Sequence, residues 1–204
     1  MGLYHDQILP RCLSWVMGRR LFEPYRVRCL HGLEGRVLEV GFGAGHNLKF
    51  YPQEVEEVLA LEPSAIARKL ARRRVERASM DVIFVGLDGA QIPLEDSSVD
   101  GIACTWTLCT IPRVGQALEE MARVLRPGGR LHFIEHGASQ DPRVLRQQDR
   151  WNPVQKALAG GCHLNRAIDR LVASQFEVVS LERFDLPGPR FLTTSYLGRA
   201  IPRK

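Results

Sequence analysis

Short apolar, β-branched runs recur along this chain and alternate with stretches of helical periodicity. Strands are predicted at 36–40, 57–62, 81–85, 99–106 and 130–135, with helices at 47–51, 64–78 and 114–125 between them. Pro63 stands near the first turn of the helix over 64–78, and Ser64 is its candidate cap. Arg126-Pro127-Gly128-Gly129 ends the helix over 114–125. Ahead of the first strand, residues 6–31 are amphipathic, with Trp15, Phe22 and Leu30 as core candidates and Gly32 as the stop. Residues 140–174 read as helical, and two closing strands fit 177–184 and 194–200. Such alternation implies α/β architecture: a doubly wound, mostly parallel sheet with helices on both faces and a ligand at the carboxyl ends of the strands. No repeat or linker interrupts it. One domain is expected over 1–204, made of a helical segment 1–31, a core 36–135 and a closing segment 140–204.

The carboxyl ends of the predicted strands form a consistent set. Arg36-Val37-Leu38-Glu39-Val40 runs into Gly41-Phe42-Gly43-Ala44-Gly45, as a buried strand does when it stops at a ligand that touches backbone. His46 follows Gly45, so the third glycine of the pyrophosphate fingerprint is absent, and a dehydrogenase is disfavoured. The next strand ends at Glu62, about twenty residues past the first glycine, where a carboxylate can accept from both ribose hydroxyls. Asp88-Gly89-Ala90 follows the third strand, with Asp88 placed to accept from an exocyclic amine. Thr105-Trp106-Thr107 and Glu135-His136 close the fourth and fifth. Acids in this order suit a nucleoside with a free diol and repel a pyrophosphate.

Composition narrows the class further. At 45% hydrophobic and 25% charged the chain is an ordinary globular one, with no apolar run long enough to span a membrane. Cys12, Cys29, Cys104, Cys109 and Cys162 form no Cys-x-x-Cys pair, so neither a metal knuckle nor a disulfide framework is indicated and a reducing cytoplasm is expected. The net charge of +5 is mild, and Arg68, Arg72, Arg73, Arg74 and Arg77 read as one solvated helix face, so no nucleic-acid partner is expected.

Glu39-Val40-Gly41-Phe42-Gly43-Ala44-Gly45, Glu62, Asp88-Gly89-Ala90 and Val124-Leu125-Arg126-Pro127-Gly128-Gly129 resemble the motif series of class I S-adenosylmethionine-dependent methyltransferases, in order and spacing over 36–135. Within that class, the chain is similar to the methyltransferase-like thiol S-methyltransferases and their bacterial relatives. The likeness lies in Gly45-His46-Asn47-Leu48-Lys49-Phe50-Tyr51-Pro52, in Cys104-Thr105-Trp106-Thr107-Leu108-Cys109 and in Gly161-Cys162-His163-Leu164-Asn165-Arg166. The N-terminal hydrophobic anchor of the membrane-bound relatives is not matched here, in keeping with a cytoplasmic location. The resemblance implies a Rossmann-like seven-stranded sheet whose last strand is antiparallel, with a helical lid over 1–31 and substrate-side elements over 140–204. It implies that Glu62, next to Pro63, holds the ribose, Asp88 with Gly89 and Ala90 the adenine, and Gly41, Gly43 and Gly45 the methionine part. Glu39 orients the glycine turn or the amino group, Asn47 and Thr105 are further cofactor-binding residues, and Tyr4 folds over the cofactor.

The implied chemistry is an in-line displacement at a sulfonium methyl, in which the protein aligns a small-molecule acceptor and excludes water. A thiol of pKa near ~8.5 needs only a modest push at neutral pH. His136 is the candidate base or orienting group and His163 the second. Trp106, Cys109 and Trp151 are substrate-side candidates, each with a plain packing role as the alternative. An amine, a phenolic or quinone ring, or a phospholipid headgroup are the other acceptors. Arg11, Arg19, Arg20, Arg26 and Arg28, among Leu13, Trp15, Leu21 and Phe22, would suit a membrane surface, although a lid explains them as well. A nucleoside-binding or RNA-binding protein is the non-enzyme reading, and the oligomeric state is left open.

Overall fold

The predicted central runs become strands buried on both faces, as expected where helices cover a parallel sheet twice. The computed structural model describes residues 2–203; Met1 and Lys204, the outer ends of the 1–31 and 140–204 segments, lie outside the described residues. Strands β1 (Gly35–Val40), β2 (Val55–Leu61), β3 (Asp81–Gly86), β4 (Val99–Thr105), β5 (Leu125–His136), β6 (Phe176–Asp185) and β7 (Thr194–Pro202) make one sheet in the order β3-β2-β1-β4-β5-β7-β6. β7 inserts antiparallel between β5 and β6, while β1 to β5 are parallel neighbours.

Alternate residues face two cores. Leu38, Leu59, Ile102, Leu131 and Phe133 meet α4 (Val114–Val124) and α6 (Ile168–Ala173) through Leu118, Met121, Ile168 and Val172. Val37, Val58, Ala60 and Ala103 meet α2 (Glu23–Leu30) and α3 (Ala65–Val75) through Leu30 and Ala71. Ser64 caps α3 by accepting from the Ala67 N–H at 3.2 Å. The strand order reverses between β1 and β4. A crevice for ligand therefore opens where the loops after those two strands diverge.

Several elements differ from the sequence expectation. The helix expected over 6–31 is split into a π-helical turn (Tyr4–Ile8), α1 (Leu9–Met17), a 3₁₀ turn (Arg20–Phe22) and α2, because Gly18 and an extended Arg19 break it. Trp15, expected in the core, is 68% exposed on α1, whereas Leu30 is fully buried. The region 140–174 is helical only as α5 (Pro142–Leu158) and α6, since Gly160 and Gly161 adopt φ of +62° and +90° and end the helix. β5 begins at Leu125 rather than Arg130, with a register shift against β4 where Gly128 turns at φ +90°.

Gly198 lies opposite Phe133 in the β5–β7 ladder. A Cβ there would stand 2.5 Å from the Phe133 ring and 2.7 Å from the Ser180 carbonyl on β6. Neither ring nor backbone has room to retreat in the middle of a sheet. Gly198→Ala should cost about 1–3 kcal/mol of stability by overpacking. Urea unfolding checks this, with a lower midpoint expected at an unchanged slope.

Candidate active site

β1 carries Glu39 to the bottom of the crevice, where it is fully buried. One oxygen accepts from the Tyr51 hydroxyl at 2.6 Å and the other from Asn47 Nδ2 at 2.8 Å. Asn47 in turn accepts from Arg26 at 2.6 Å and donates to Thr105 Oγ1 at 3.1 Å. Burial pushes the Glu39 carboxyl up to about 7, against the opposing effect of Tyr51, Asn47 and Arg26. The same burial lowers Arg26 to about 10, which leaves it cationic. The cluster ties β1, β4, the 3₁₀ turn Leu48–Phe50 and α2 together beneath the glycine turn.

Gly41, Gly43 and Gly45 all have left-handed φ, between +59° and +76°. They serve different ends. The Thr107 side chain fills the space of a Cβ on Gly41, and Phe42 and Leu48 crowd Gly45. Gly43 presents open backbone, with nothing nearer to a Cβ than the Gly41 carbonyl at 3.9 Å.

Glu62, just past β2, is buried and reaches back across the turn. Its oxygens accept from Gly43 N–H at 2.7 Å and Ser64 N–H at 2.8 Å, while the adjacent Pro63 is exposed. A carboxylate has about four acceptor positions, so each oxygen keeps one for a ligand hydroxyl. Burial raises its pKa, and the two amides counter that. Asp88 is half-exposed; it accepts from the Ala90 N–H at 2.9 Å and pairs with Arg113. Gly89 and Ala90 are buried beside it, with Gly89 close to Val40 and Ala117.

Across the switch point, Glu135 mirrors Glu39. It is fully buried and accepts from Thr107 N–H at 2.8 Å and Cys109 N–H at 3.2 Å, so it holds the loop after β4. Burial raises it to about 7 against those amides. Trp106 sits at φ +53°, a costly conformation for a bulky residue. Its N–H donates to Ile134 O at 2.7 Å, and its ring lies under Arg26 and edge-on to Phe22. His136, the last residue of β5, is buried with Nε2 unpartnered, and its Nδ1 lies 3.7 Å from Cys162 Sγ. Cys109 is buried, and His163 donates its N–H to the Cys109 carbonyl at 2.9 Å. Arg166 clamps the same loop through Leu108 O and Ile111 O.

Tyr4 and Trp151 lie further out. The Tyr4 hydroxyl donates to Leu158 O at 2.6 Å, which straps the N-terminal segment to the end of α5. Trp151 is about half-exposed and stacks on Phe191 of α7 (Arg190–Thr193). A cavity of about 490 Å³ opens behind the glycine turn, with Arg19, His46, Lys49, Arg74 and Arg77 in its wall. None of Glu62, Asp88 and His136 lines it, so it is not the crevice that the strand ends define.

Two residues that the structure brings to the site escaped the sequence reading. The sequence suggests a membrane-surface or lid face for Arg26, yet it lies three and four residues before Cys29 and Leu30, on the stripe that α2 buries. That offset was the available signal. Cys162 stands in the Gly161–Arg166 segment of the family likeness, but no spacing joins it to its partners Cys109 and His136, which are remote in sequence.

Comparison with known proteins gives the family. A family profile described as a methyltransferase domain matches residues 38–133. Thiol S-methyltransferase TMT1B of Mus musculus is 35% identical over 173 residues, covering 80% of this chain and 69% of that protein. A phosphatidylethanolamine N-methyltransferase of Cereibacter sphaeroides is 31% identical over 153 residues, 71% of either chain. The structure of a geranyl diphosphate methyltransferase in complex with S-adenosylmethionine superposes with a TM-score of 0.67 at 14% identity, over 100% of this chain and 92% of that one. The chain belongs to the class I S-adenosylmethionine-dependent methyltransferases. It is an enzyme, and its cofactor is S-adenosyl-L-methionine. The crevice fits that group on two counts: open backbone at Gly43, and unfilled acceptor positions on a buried Glu62.

The buried Glu39 makes a testable contribution to stability. Its folded-state pKa is near 7 against an ordinary 4.5. The folded chain therefore binds more protons than the unfolded one between those values, so this group's stabilising effect is complete below the window and falls as pH rises through it. The shift corresponds to a loss on the order of 3 kcal/mol. Glu39→Gln removes the titration. Unfolding free energies at about pH 5 and about pH 8 should show the variant gaining on the parent chain by that order at the higher pH. An equal difference at both would mean that Glu39 stays ionised throughout.

Proposed function

We propose that this methyltransferase transfers the methyl group to the thiol sulfur of a small molecule, with Glu62 at the ribose, Asp88 at the adenine amine and the Gly43 backbone at the methionine part. S-adenosylmethionine, when bound, supplies a methyl carbon on a positively charged sulfur. What remains for the protein is to hold the acceptor, take up its proton and keep water out.

The observation that carries the proposal is His136 Nε2, a buried nitrogen without a partner at the carboxyl end of β5. An unmade bond at a buried polar atom costs about 1–3 kcal/mol, and a bound acceptor would repay it. Nδ1 already faces Cys162, so Nε2 is the atom left to orient a substrate thiol or receive its proton. A thiol needs no stronger base, since its pKa of ~8.5 leaves a useful thiolate fraction near neutrality. Relatives named as thiol S-methyltransferases, 33–35% identical over some 173 residues, support the same acceptor. Tyr4, bonded to Leu158, and Leu9, against Gly160, bring the N-terminal segment to the end of α5, where it would act as a lid.

One feature favours a second reading, an amine acceptor presented at a membrane surface. Leu3, Ile8, Leu13 and Trp15 are exposed on the N-terminal segment beside Arg11, Arg19 and Arg20, and one relative is named a phosphatidylethanolamine N-methyltransferase. Among the described residues no helix is long and apolar enough to cross a membrane.

S-adenosylhomocysteine production against an alkyl thiol, hydrogen sulfide, a catechol, a primary amine and phosphatidylethanolamine vesicles separates the two. Turnover on thiols alone is expected; turnover confined to the vesicles would replace the first reading with the second. Calorimetry should show Glu62→Ala weakening cofactor binding by about 2–3 kcal/mol, as a charged acceptor is lost and Gly43 is unpinned. Asp88→Ala should cost less, about 0.5–1.5 kcal/mol, because Arg113 already competes for that half-exposed carboxylate. His136→Ala should leave cofactor affinity unchanged and lower turnover. Weaker cofactor binding in that variant would place His136 on the wrong side of the methyl.

A further inference from the structure

Beside His136 the fold assembles a thiol pair that methyl transfer does not use. Cys109, from the loop after β4, and Cys162, from the loop after α5, come from positions 53 residues apart, yet their Sγ atoms lie 3.5 Å from each other. Cys162 also lies 3.7 Å from His136 Nδ1. The two thiols are not alike. Cys109 is buried, with its N–H held by Glu135 and its carbonyl by His163. Cys162 is partly exposed and follows Gly160 and Gly161, both with left-handed φ, a backbone that can shift with little steric cost. The bond with Cys109 and then His136 draw the Cys162 thiol well below the ordinary range, while the same bond, burial and Glu135 push Cys109 up. A more accessible sulfur beside an imidazole thus faces a sheltered one, the division of labour that a two-step oxidation needs.

We propose that Cys109 and Cys162 are a reversible redox pair on the acceptor side of the site, closed to a disulfide by a hydroperoxide and reopened by small thiols. In the first step the Cys162 sulfur attacks the peroxide O–O bond; an S–O bond forms and one water leaves. In the second, the Cys109 sulfur attacks the sulfenic sulfur; the S–S bond forms, the S–O bond breaks and a second water leaves. Two thiols and one hydrogen peroxide give one disulfide and two waters. The sulfurs must approach by about 1.5 Å to reach bonding distance, and the Gly160-Gly161 segment supplies that movement. Closure draws Cys162 toward Cys109 and changes what His136 Nδ1 faces. Reopening by two equivalents of a small thiol yields its own disulfide. The consequence for catalysis rests on the thiol-acceptor reading, whereas the linkage itself does not.

The purified full chain is treated with hydrogen peroxide at equimolar to tenfold excess, alkylated, digested without reductant and mapped by mass. A Cys109–Cys162 linked peptide should become the main product and disappear with dithiothreitol. Cys12→Ser, which removes an exposed thiol outside the site, should not change its yield. In Cys109→Ser, dimedone should trap a sulfenic acid at Cys162. Since that buried substitution could impair folding, Cys162→Ser is the companion, and there Cys109 should remain a free thiol. Oxidation confined to Cys12, or over-oxidation of Cys162 with Cys109 free in the unsubstituted chain, overturns the pair. Linked protein offered a thiol acceptor should show a lag that prior reduction abolishes. Full linkage with no lag overturns the control of catalysis. Absence of thiol turnover in fully reduced protein would instead count against the acceptor assignment, and the mass map would still decide the linkage.

Discussion

The buried carboxylate of Glu39 is the constraint on which the site depends. Burying a charge in a sheet core is expensive unless hydrogen bonds surround it. Here Tyr51, Asn47 and, through Asn47, Arg26 provide them. The acid at the end of β1 thereby fixes three other pieces of chain: the 3₁₀ turn past the glycines, the N-terminal helix α2 and, through Thr105, the end of β4. Remove the carboxylate and each of these loses its reason to meet the others beneath the crevice.

The same device appears twice more around the switch point. A ligand crevice needs irregular backbone, and irregular backbone leaves amides without ladder partners. Glu135 takes up the amides of Thr107 and Cys109, and Glu62 those of Gly43 and Ser64. Three carboxylates at three strand ends therefore hold three loops in shape. Of the three, Glu62 bonds the open Gly43 backbone itself, so one residue both builds the turn and adjoins the space left for a ligand.

The strand–helix alternation was legible because each central strand is a predominantly apolar run, as expected where helices cover a parallel sheet on both faces. Ser64 was legible for a similarly local reason, since a cap bonds three residues ahead. Failures came where local periodicity met a long-range contact. The amphipathic pattern over 6–31 placed Trp15 inwards, but the break at Gly18 and Arg19 rotates α1 away from α2, and Trp15 stays exposed with Arg19 stacked on it. Arg26 was hidden by its own charge among surface arginines. The Cys109–Cys162–His136 contact joins three loops or strand ends, and no spacing rule links positions that only the folded sheet brings together.

Raised carboxylate pKa values in a crevice usually point to catalytic acids or bases, and Glu39 and Glu135 both carry them. Geometry decides against that reading here. Both groups are fully buried, and their oxygens are engaged by donors from the protein itself, so neither reaches a substrate proton. Their shifts record the cost of burial, offset by the loops they hold. Methyl transfer to the thiol acceptor we propose would have little use for a strong base in any case, since the leaving group arrives already charged. His136 differs from both in having a buried nitrogen with its bond still unmade. A carboxylate enclosed and bonded by its own protein builds the site, and the nitrogen left one bond short is where we place the acceptor.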